Sequence, residues 1–255
     1  MIISSSSARN CWIKAITVRP NARLRLFCLH YAGGNAFVFR SWANQVLDGV
    51  DVYAIELPGH GTRLAEPPYD RMERLIQDLK AALMPHSNQP FAFFGHSMGS
   101  LISYELAQAL REENLCPLHL FVSGHRAPHI PDAEPPIHAL PTADFLNALR
   151  RYNGTPEAIL QNTELMELLL PTLRADFALL EAYQYQPRLP LDCPITAFGG
   201  AKDWKASAEE INAWRSHTQS NFSCYQFPGD HFFIHSAQSS LLRVLNAALQ
   251  YPVKV

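Results

Sequence analysis

The segment at residues 91–100, FAFFGHSMGS, decides the fold class of this chain. Its first four residues are apolar without alternation, which is typical of a strand buried on both faces of a parallel sheet. The pattern G-x-S-x-G follows at residues 95–99, and a helical pattern runs from Ser100 to Glu112. A serine between such a strand and such a helix lies on a tight turn that flanking glycines permit, and the turn lifts its hydroxyl above the sheet. Ser97 is therefore the predicted nucleophile.

The rest of the chain repeats the order strand, loop, helix. Further strands are predicted at residues 24–29, 52–57, 118–123, 195–198 and 222–227. A helix with Phe37, Trp42 and Val46 on its inner side is predicted after the first strand. Residues 69–84 carry a 3.6-residue apolar stripe, formed by Met72, Leu75, Ile76, Leu79 and Leu83. This alternation predicts an α/β fold, a mostly parallel central sheet flanked by helices.

One stretch interrupts the alternation. From about residue 140 to 185 the sequence shows helical patterns without a strand, which predicts a helical lid inserted into the domain. Pro141, Pro156 and Pro171 each stand where a helix could begin. Residues 1–20 are predicted to be a partly disordered leader that includes the serine run 4–7, and residues 21–255 to form a single domain.

The catalytic base is sought after the last strand, because serine hydrolases with this turn follow the chain order serine, acid, histidine. His231 lies there, directly after residues 222–227. His235 is the nearest rival but falls one turn into the next segment, and His217 precedes the strand. His60 and His96 lie on loops near the site and are expected to be structural or to line a pocket.

The acid that orients the base is predicted to be Asp203, because it follows the strand at residues 195–198 and a glycine turn. The loop after residues 118–123 offers no carboxylate before Asp132. Asp230 is adjacent to the base in sequence, and neighbours in an extended loop point apart. Asp176 lies in the insertion and is expected to be a helix-surface or hinge charge.

An oxyanion hole needs two backbone N–H donors. The position of Met98, directly after the nucleophile, predicts that it supplies one. The second is expected from the glycine-rich loop after the first strand of the sheet, where Ala32 is preferred and Tyr31 is the alternative.

The composition restricts the class of protein. The chain has 255 residues, of which 47% are hydrophobic and only 17% charged, with a net charge of −2. These values exclude a disordered chain and give no electrostatic footprint for nucleic acid, and no run reaches the roughly 20 apolar residues of a membrane span. Five separated cysteines without a CxxC pair predict neither a zinc site nor a disulfide framework. No signal peptide is recognisable, so a cytoplasmic protein without metal or cofactor is expected.

Six segments together resemble one family, the type II thioesterases that accompany polyketide and nonribosomal peptide synthetases. They are LHYAGGNAFVFRSW, ELPGHGTR, FFGHSMGS, LRADF, FGGAKD and PGDHFFI. The resemblance implies an α/β-hydrolase fold with a mobile helical lid, a triad of Ser97, Asp203 and His231, and oxyanion donors at Ala32 and Met98. The chain departs from the family pattern at His30 and Tyr31, where a proline and a histidine are common, and at His60, where an arginine is common.

The resemblance also implies an activity. Such enzymes hydrolyse acyl groups from the phosphopantetheine arm of a carrier protein that docks transiently, and a lone chain of this size suits a monomer. Lid residues are then expected to line an acyl channel: Leu160, Leu165, Met166, Leu169, Phe177 and Leu180. The main alternative is a medium-chain fatty acyl thioesterase, which is similar in the same segments. A small carboxylesterase or lipase and a non-catalytic binding module with this fold are further alternatives.

Overall fold

A seven-stranded sheet forms the centre of the computed structural model, which describes residues 11–250. The strands are β1 (Ile13–Ala15), β2 (Leu24–Leu29), β3 (Val50–Ile55), β4 (Phe91–His96), β5 (Leu120–Ser123), β6 (Ile195–Gly200) and β7 (Phe222–Phe227). Their order across the sheet is β1-β3-β2-β4-β5-β6-β7. All neighbouring pairs are parallel except β1 with β3. The predicted α/β fold with a mostly parallel sheet is confirmed.

Helices cover both faces of the sheet. They are α1 (Met72–Leu83), α2 (Met98–Arg111), α3 (Thr142–Tyr152), α4 (Glu157–Leu160), α5 (Thr163–Glu181), α6 (Ala208–Asn212), α7 (Phe233–Ser236) and α8 (Gln238–Gln250). The five apolar residues predicted on one face of α1 are all buried against the sheet. The opposite face of the sheet packs against α8 and a 3₁₀ helix at Ala36–Asn44. No helix among the described residues has both the length and the apolar character that a membrane crossing requires.

The insertion is helical, as its pattern predicts. Helices α3, α4 and α5 lie between β5 and β6, and they share a small apolar cluster of their own. That cluster consists of Ile137, Phe145, Leu149, Leu160, Met166, Leu173 and Phe177. Because the three helices bury their apolar residues largely against one another, they form a separate layer above the sheet.

Pro141 and Pro156 directly precede α3 and α4, but Pro171 does not begin a helix. It lies inside α5, which runs without a break from residue 163 to 181. Proline inside a helix removes one backbone hydrogen bond. Burial of Met166, Leu173 and Phe177 on both sides of it maintains the helix here.

The prediction that Phe37 faces inward is wrong. Phe37 is 61% exposed, whereas Ala36, Phe39 and Trp42 are buried. The segment is a 3₁₀ helix, in which residues three apart share a face, so the buried set follows a period of three and not 3.6.

The N-terminal edge of the sheet was not predicted. Strand β1 lies within the 20 residues that the sequence analysis assigns to a leader, and it pairs Ile13 with Ile55. Three residues are too short to show a recognisable strand pattern. The serine run at residues 4–7 lies outside the described residues.

Candidate active site

The turn at Ser97 joins the end of β4 to the start of α2. Ser97 has φ 52° and ψ −117°, a conformation that residues with a side chain rarely adopt. Its N–H donates to the Ser123 carbonyl at 2.7 Å, which holds the turn against β5. The strained turn places the serine at the carboxyl edge of the sheet, where the loops after parallel strands meet.

The glycines beside Ser97 are required by packing. A Cβ on Gly95 would lie 2.1 Å from the Gly99 carbonyl oxygen, and a Cβ on Gly99 would lie 2.2 Å from the Leu29 carbonyl oxygen. No real side chain fits at such distances, so the turn from strand to helix closes this tightly only with glycine at both positions.

The three side chains predicted to form a triad lie within hydrogen-bond distance. His231 Nε2 lies 3.0 Å from Ser97 Oγ, and His231 Nδ1 lies 2.8 Å from Asp203 Oδ2. A carboxylate only accepts hydrogen bonds, so Nδ1 carries the proton and Nε2 is free to accept one from the serine hydroxyl. The side chains of His231 and Asp203 are largely buried. This is the geometry of a nucleophile, a base and an orienting acid.

The backbone carbonyl of His231 is held by a second buried histidine, His96. His96 Nε2 donates to the His231 carbonyl at 3.0 Å, and its Nδ1 lies 2.8 Å from Ser123 Oγ. Burial, and then the charge of His231, lower the pKa of His96 well below its ordinary value. His96 is therefore neutral, and its contacts fit the structural role expected from the sequence.

The rival histidines do not reach Ser97 in this arrangement. His235 Nε2 lies 3.0 Å from the Tyr31 hydroxyl. His217 interacts with Tyr104 and with His129 on the other side of α2.

The rival carboxylates are engaged elsewhere. Asp230 accepts hydrogen bonds from Asn153 and from the Phe232 N–H. Asp132 forms salt bridges with Arg126 and Lys205.

The expectation that Asp176 is a surface or hinge charge is wrong. Asp176 is only 2% exposed, and it accepts hydrogen bonds from the Gly33 N–H at 2.7 Å and from His60 Nε2 at 3.0 Å. The helical pattern of the insertion did not reveal that this face of α5 packs on two loops at the edge of the central sheet.

Of the two predicted oxyanion donors, Met98 directly follows the serine in the chain, and Ala32 shares a cleft with it. Met98 is the first residue of α2, so its N–H has no acceptor within the helix and points out of the helix N-terminus. Ala32 lines the same cleft as Ser97 and His231. In the loop around Ala32, the Tyr31 carbonyl accepts a hydrogen bond from the Gly34 N–H at 2.9 Å.

A cleft opens from Ser97 toward the inserted helices. Two of the six lid residues predicted to line a channel, Phe177 and Leu180, line this cleft. Leu169 lines a neighbouring cleft, Leu160 and Met166 are buried in the lid cluster, and Leu165 lines neither of the two clefts. Sequence reasoning missed other lining residues of the first cleft: Leu149, Tyr152, Leu173 and Phe232. The lining has an apolar part, and it also carries charged side chains: Arg126, Asp132, Glu181 and Lys205.

A family model, two sequence relatives and a solved structure are similar to this chain over most of its length. The family model for the thioesterase domain matches residues 24–249. Linear gramicidin dehydrogenase LgrE of Brevibacillus parabrevis is 44% identical over 243 residues, covering 94% of this chain and 92% of that protein. Gramicidin S biosynthesis protein GrsT of Aneurinibacillus migulanus is 44% identical over 237 residues, covering 92% and 93%. The solved structure of the RedJ thioesterase from the prodiginine pathway of Streptomyces coelicolor has a TM-score of 0.83 and 41% identity, covering 89% and 86%.

Proposed function

This chain belongs to the thioesterase family, and from that premise we propose that it hydrolyses acyl thioesters held on the phosphopantetheine arm of a synthetase's carrier protein. The observation that carries the proposal is the hydrogen-bonded series from Ser97 Oγ through His231 to Asp203 beside the cleft that opens toward the lid helices. The relative GrsT, at 44% identity, is named as a gramicidin S biosynthesis protein, and LgrE, also at 44%, is named for linear gramicidin; both names favour a synthetase-associated enzyme over a medium-chain fatty acyl thioesterase.

The proposed reaction has two steps. His231 Nε2 takes the proton of Ser97 Oγ as the oxygen attacks the thioester carbonyl, while Asp203 stabilises the imidazolium that forms. The N–H groups of Ala32 and Met98 receive the developing oxyanion. The thiol leaves with the proton from His231, and a water activated by the same histidine then releases the acid and restores the serine.

The partner in this proposal is an acyl-loaded carrier protein that docks transiently on a monomer. We also place the enzyme in the cytoplasm, since its five separated cysteines form no recognisable disulfide framework in the sequence, a pattern that suits a reducing compartment. Size-exclusion chromatography with light scattering tests the monomer.

The decisive experiment compares the wild type with two variants. Ser97→Ala removes the proposed nucleophile, and the control Ser216→Ala removes an exposed hydroxyl far from Ser97 in the sequence. The rate of acid release is measured for carrier proteins loaded with acyl groups of different chain lengths. The same acyl groups are also tested as coenzyme A thioesters and as oxygen esters. We expect Ser97→Ala to lower turnover by about 10⁴-fold or more, and Ser216→Ala to match the wild type.

Each alternative predicts a different pattern. Hydrolysis by Ser97→Ala within a few-fold of the wild type would refute the proposed nucleophile. A preference for the oxygen ester would indicate a carboxylesterase, and a preference for medium-chain fatty acyl groups would indicate the fatty acid enzyme. A non-catalytic module would not react with a fluorophosphonate probe.

A further inference from the structure

Helix α5 of the lid is bonded to two loops of the hydrolase core through side chains one turn apart. Thr172 Oγ1 donates to the Gly59 carbonyl at 2.8 Å, and Asp176 Oδ2 accepts from the Gly33 N–H at 2.7 Å. The loop that holds Gly33 also holds Ala32, the second oxyanion donor proposed above. A buried carboxylate on the lid therefore reaches the peptide next to that donor.

The partner that balances Asp176 is a charged histidine. His60 Nε2 lies 3.0 Å from Asp176 Oδ2, and His60 Nδ1 lies 3.0 Å from the Pro58 carbonyl oxygen. Both oxygens only accept, so both ring nitrogens must donate and the ring is an imidazolium. Burial lowers the pKa of His60, but the charge of Asp176 and the hydrogen bonds to Asp176 and Pro58 outweigh it, and the pKa is raised.

A second histidine completes the arrangement. The ring centroids of His30 and His60 lie 4.7 Å apart. Burial, and then the charge of His60, lower the pKa of His30 to about 4, so His30 is neutral. Its Nδ1–H donates to the Tyr31 carbonyl at 2.9 Å, the same oxygen that accepts from Gly34.

These contacts orient the peptides on both sides of Ala32. The Tyr31 carbonyl and the Ala32 N–H belong to one trans peptide, so a carbonyl held by two donors aims the N–H in the opposite direction. The Gly33 N–H belongs to the next peptide, which Asp176 holds. Rotation of the Ala32 donor would therefore break a hydrogen bond on either side.

We propose that Asp176 and His60 are positioning residues, which fix the oxyanion donor at Ala32 while α5 is seated on the core. The inference rests on the proposed function, in which Ala32 N–H binds the oxyanion. It links the lid to the chemistry: lifting α5 removes the Asp176 carboxylate from Gly33 and leaves the donor loop without its support on that side.

The test uses the full chain with Asp176→Ala, Asp176→Asn, His60→Ala and His60→Gln. Glu167→Gln is the matched control, because Glu167 is an exposed carboxylate on the same helix. The first readout is the second-order rate at which a fluorophosphonate modifies Ser97, since its tetrahedral phosphorus also places an oxygen at the oxyanion donors. The others are kcat and KM for an acyl-coenzyme A thioester, the Kd of its non-hydrolysable thioether analogue, and Tm.

We expect Asp176→Ala to slow phosphonylation and kcat by about tenfold to a hundredfold, less than or similar to the loss of an oxyanion donor. KM and the analogue Kd should stay within about twofold of wild type. The oxyanion forms only in the transition state, so weaker donors for it do not change the binding of the ground-state substrate or its analogue. His60→Gln, whose amide can still donate to Asp176, should retain more activity than His60→Ala, and Glu167→Gln should match the wild type.

A merely structural role gives a different result. The proposal is overturned if folded Asp176→Ala, or folded His60→Ala where Asp176→Ala does not fold, is phosphonylated at the wild-type rate. It is also overturned if kcat falls only in step with Tm and analogue affinity. Failure of the wild type to hydrolyse acyl-carrier thioesters would refute the proposed function instead, and the phosphonylation rates would still decide the positioning role.

Discussion

At the residue scale, the backbone of Ser97 is held in its unusual conformation by a neighbouring serine. Ser100 Oγ lies 2.8 Å from the Gly95 carbonyl oxygen and 2.9 Å from the Ser123 carbonyl oxygen, which share its single O–H donor, and it accepts a hydrogen bond from the Ser123 N–H at 2.9 Å. These bonds join the turn to β4 and β5, the two strands beneath it. A positive φ at a residue with a side chain costs about 1–3 kcal/mol and persists only where the surroundings determine it.

Gly99→Ala tests how closely α2 must approach the sheet. The added Cβ would lie 2.2 Å from the Leu29 carbonyl oxygen and 2.8 Å from that of His30, both backbone atoms. We expect the start of α2 to shift, Tm to fall by several degrees and the rate of Ser97 phosphonylation to fall at least tenfold. The matched control is Gly49→Ala, where a Cβ meets nothing within 4 Å; a Gly99→Ala enzyme as active as this control would contradict the packing argument.

Local patterns predicted the residues at strand ends but not those joined only by the tertiary fold. Ser97, Asp203 and His231 follow recognisable strands, and parallel strands bring their carboxyl ends to one edge. Asp176 has no such marker, because its partners Gly33 and His60 are 143 and 116 residues away in sequence. A helix in an insertion can present either face to the core, so its buried carboxylate could not be told from a surface charge.

At the element scale, α5 has two faces with different roles. Leu173, Phe177 and Leu180 face the cleft, while Leu179 packs into the core that covers the sheet. The helix was predicted from its pattern, but not its continuity through Pro171, because burial on both sides of the proline has no local signal. The orientation of Phe37 in the 3₁₀ helix at Ala36–Asn44 was predicted wrongly for another reason. Sequence patterns do not distinguish a 3₁₀ helix, with three residues per turn, from a short α-helix.

Phe177→Leu should extend the space available to an acyl chain. The Phe177 ring packs edge-on against Phe145 at 5.7 Å and Tyr152 at 5.2 Å between ring centroids, and it lines the cleft above Ser97. We expect kcat/KM to rise for longer acyl groups relative to shorter ones by a few-fold, since each buried methylene contributes about 0.8 kcal/mol. Phe145→Leu is the control, because Phe145 is buried in the same cluster but does not line the cleft. It should lower Tm without changing the chain-length preference, and an equal shift in both variants would contradict the assignment of Phe177 to the channel.

At the scale of the whole molecule, six of the eleven histidines are buried: His30, His60, His96, His125, His217 and His231. Burial is the largest cause that lowers the pKa of His30, His119 and His217 to about 4, and of His125 to about 3. These groups are neutral in the folded chain at neutral pH. In the unfolded chain they take up protons near the ordinary histidine pKa of about 6.5.

The folded state should therefore lose stability as the pH falls from about 6.5 toward 4. Between these values the unfolded chain binds more protons than the folded chain, so acid favours unfolding. His60 has the opposite sign: its raised pKa stabilises the fold at low pH, and that contribution is lost as the pH rises through its folded value. The pKa of three more histidines, His86, His96 and His235, is also lowered. Seven lowered histidines against one raised histidine make the net effect an acid destabilisation.

His119→Gln isolates one of these contributions away from the active site. His119 Nε2 lies 2.8 Å from Thr196 Oγ1, and the ring stacks on Phe121 at 4.1 Å between centroids. A glutamine can keep the hydrogen bond but does not titrate. The free energy of unfolding in urea is measured for wild type and variant at pH 7.5 and at pH 5, and the difference at pH 7.5 gives the packing cost of the substitution. We expect the loss between the two pH values to be about 2 kcal/mol smaller in the variant. An equal or larger loss would show that His119 is not held neutral by burial, because a group that titrates alike in both states makes stability no more sensitive to acid.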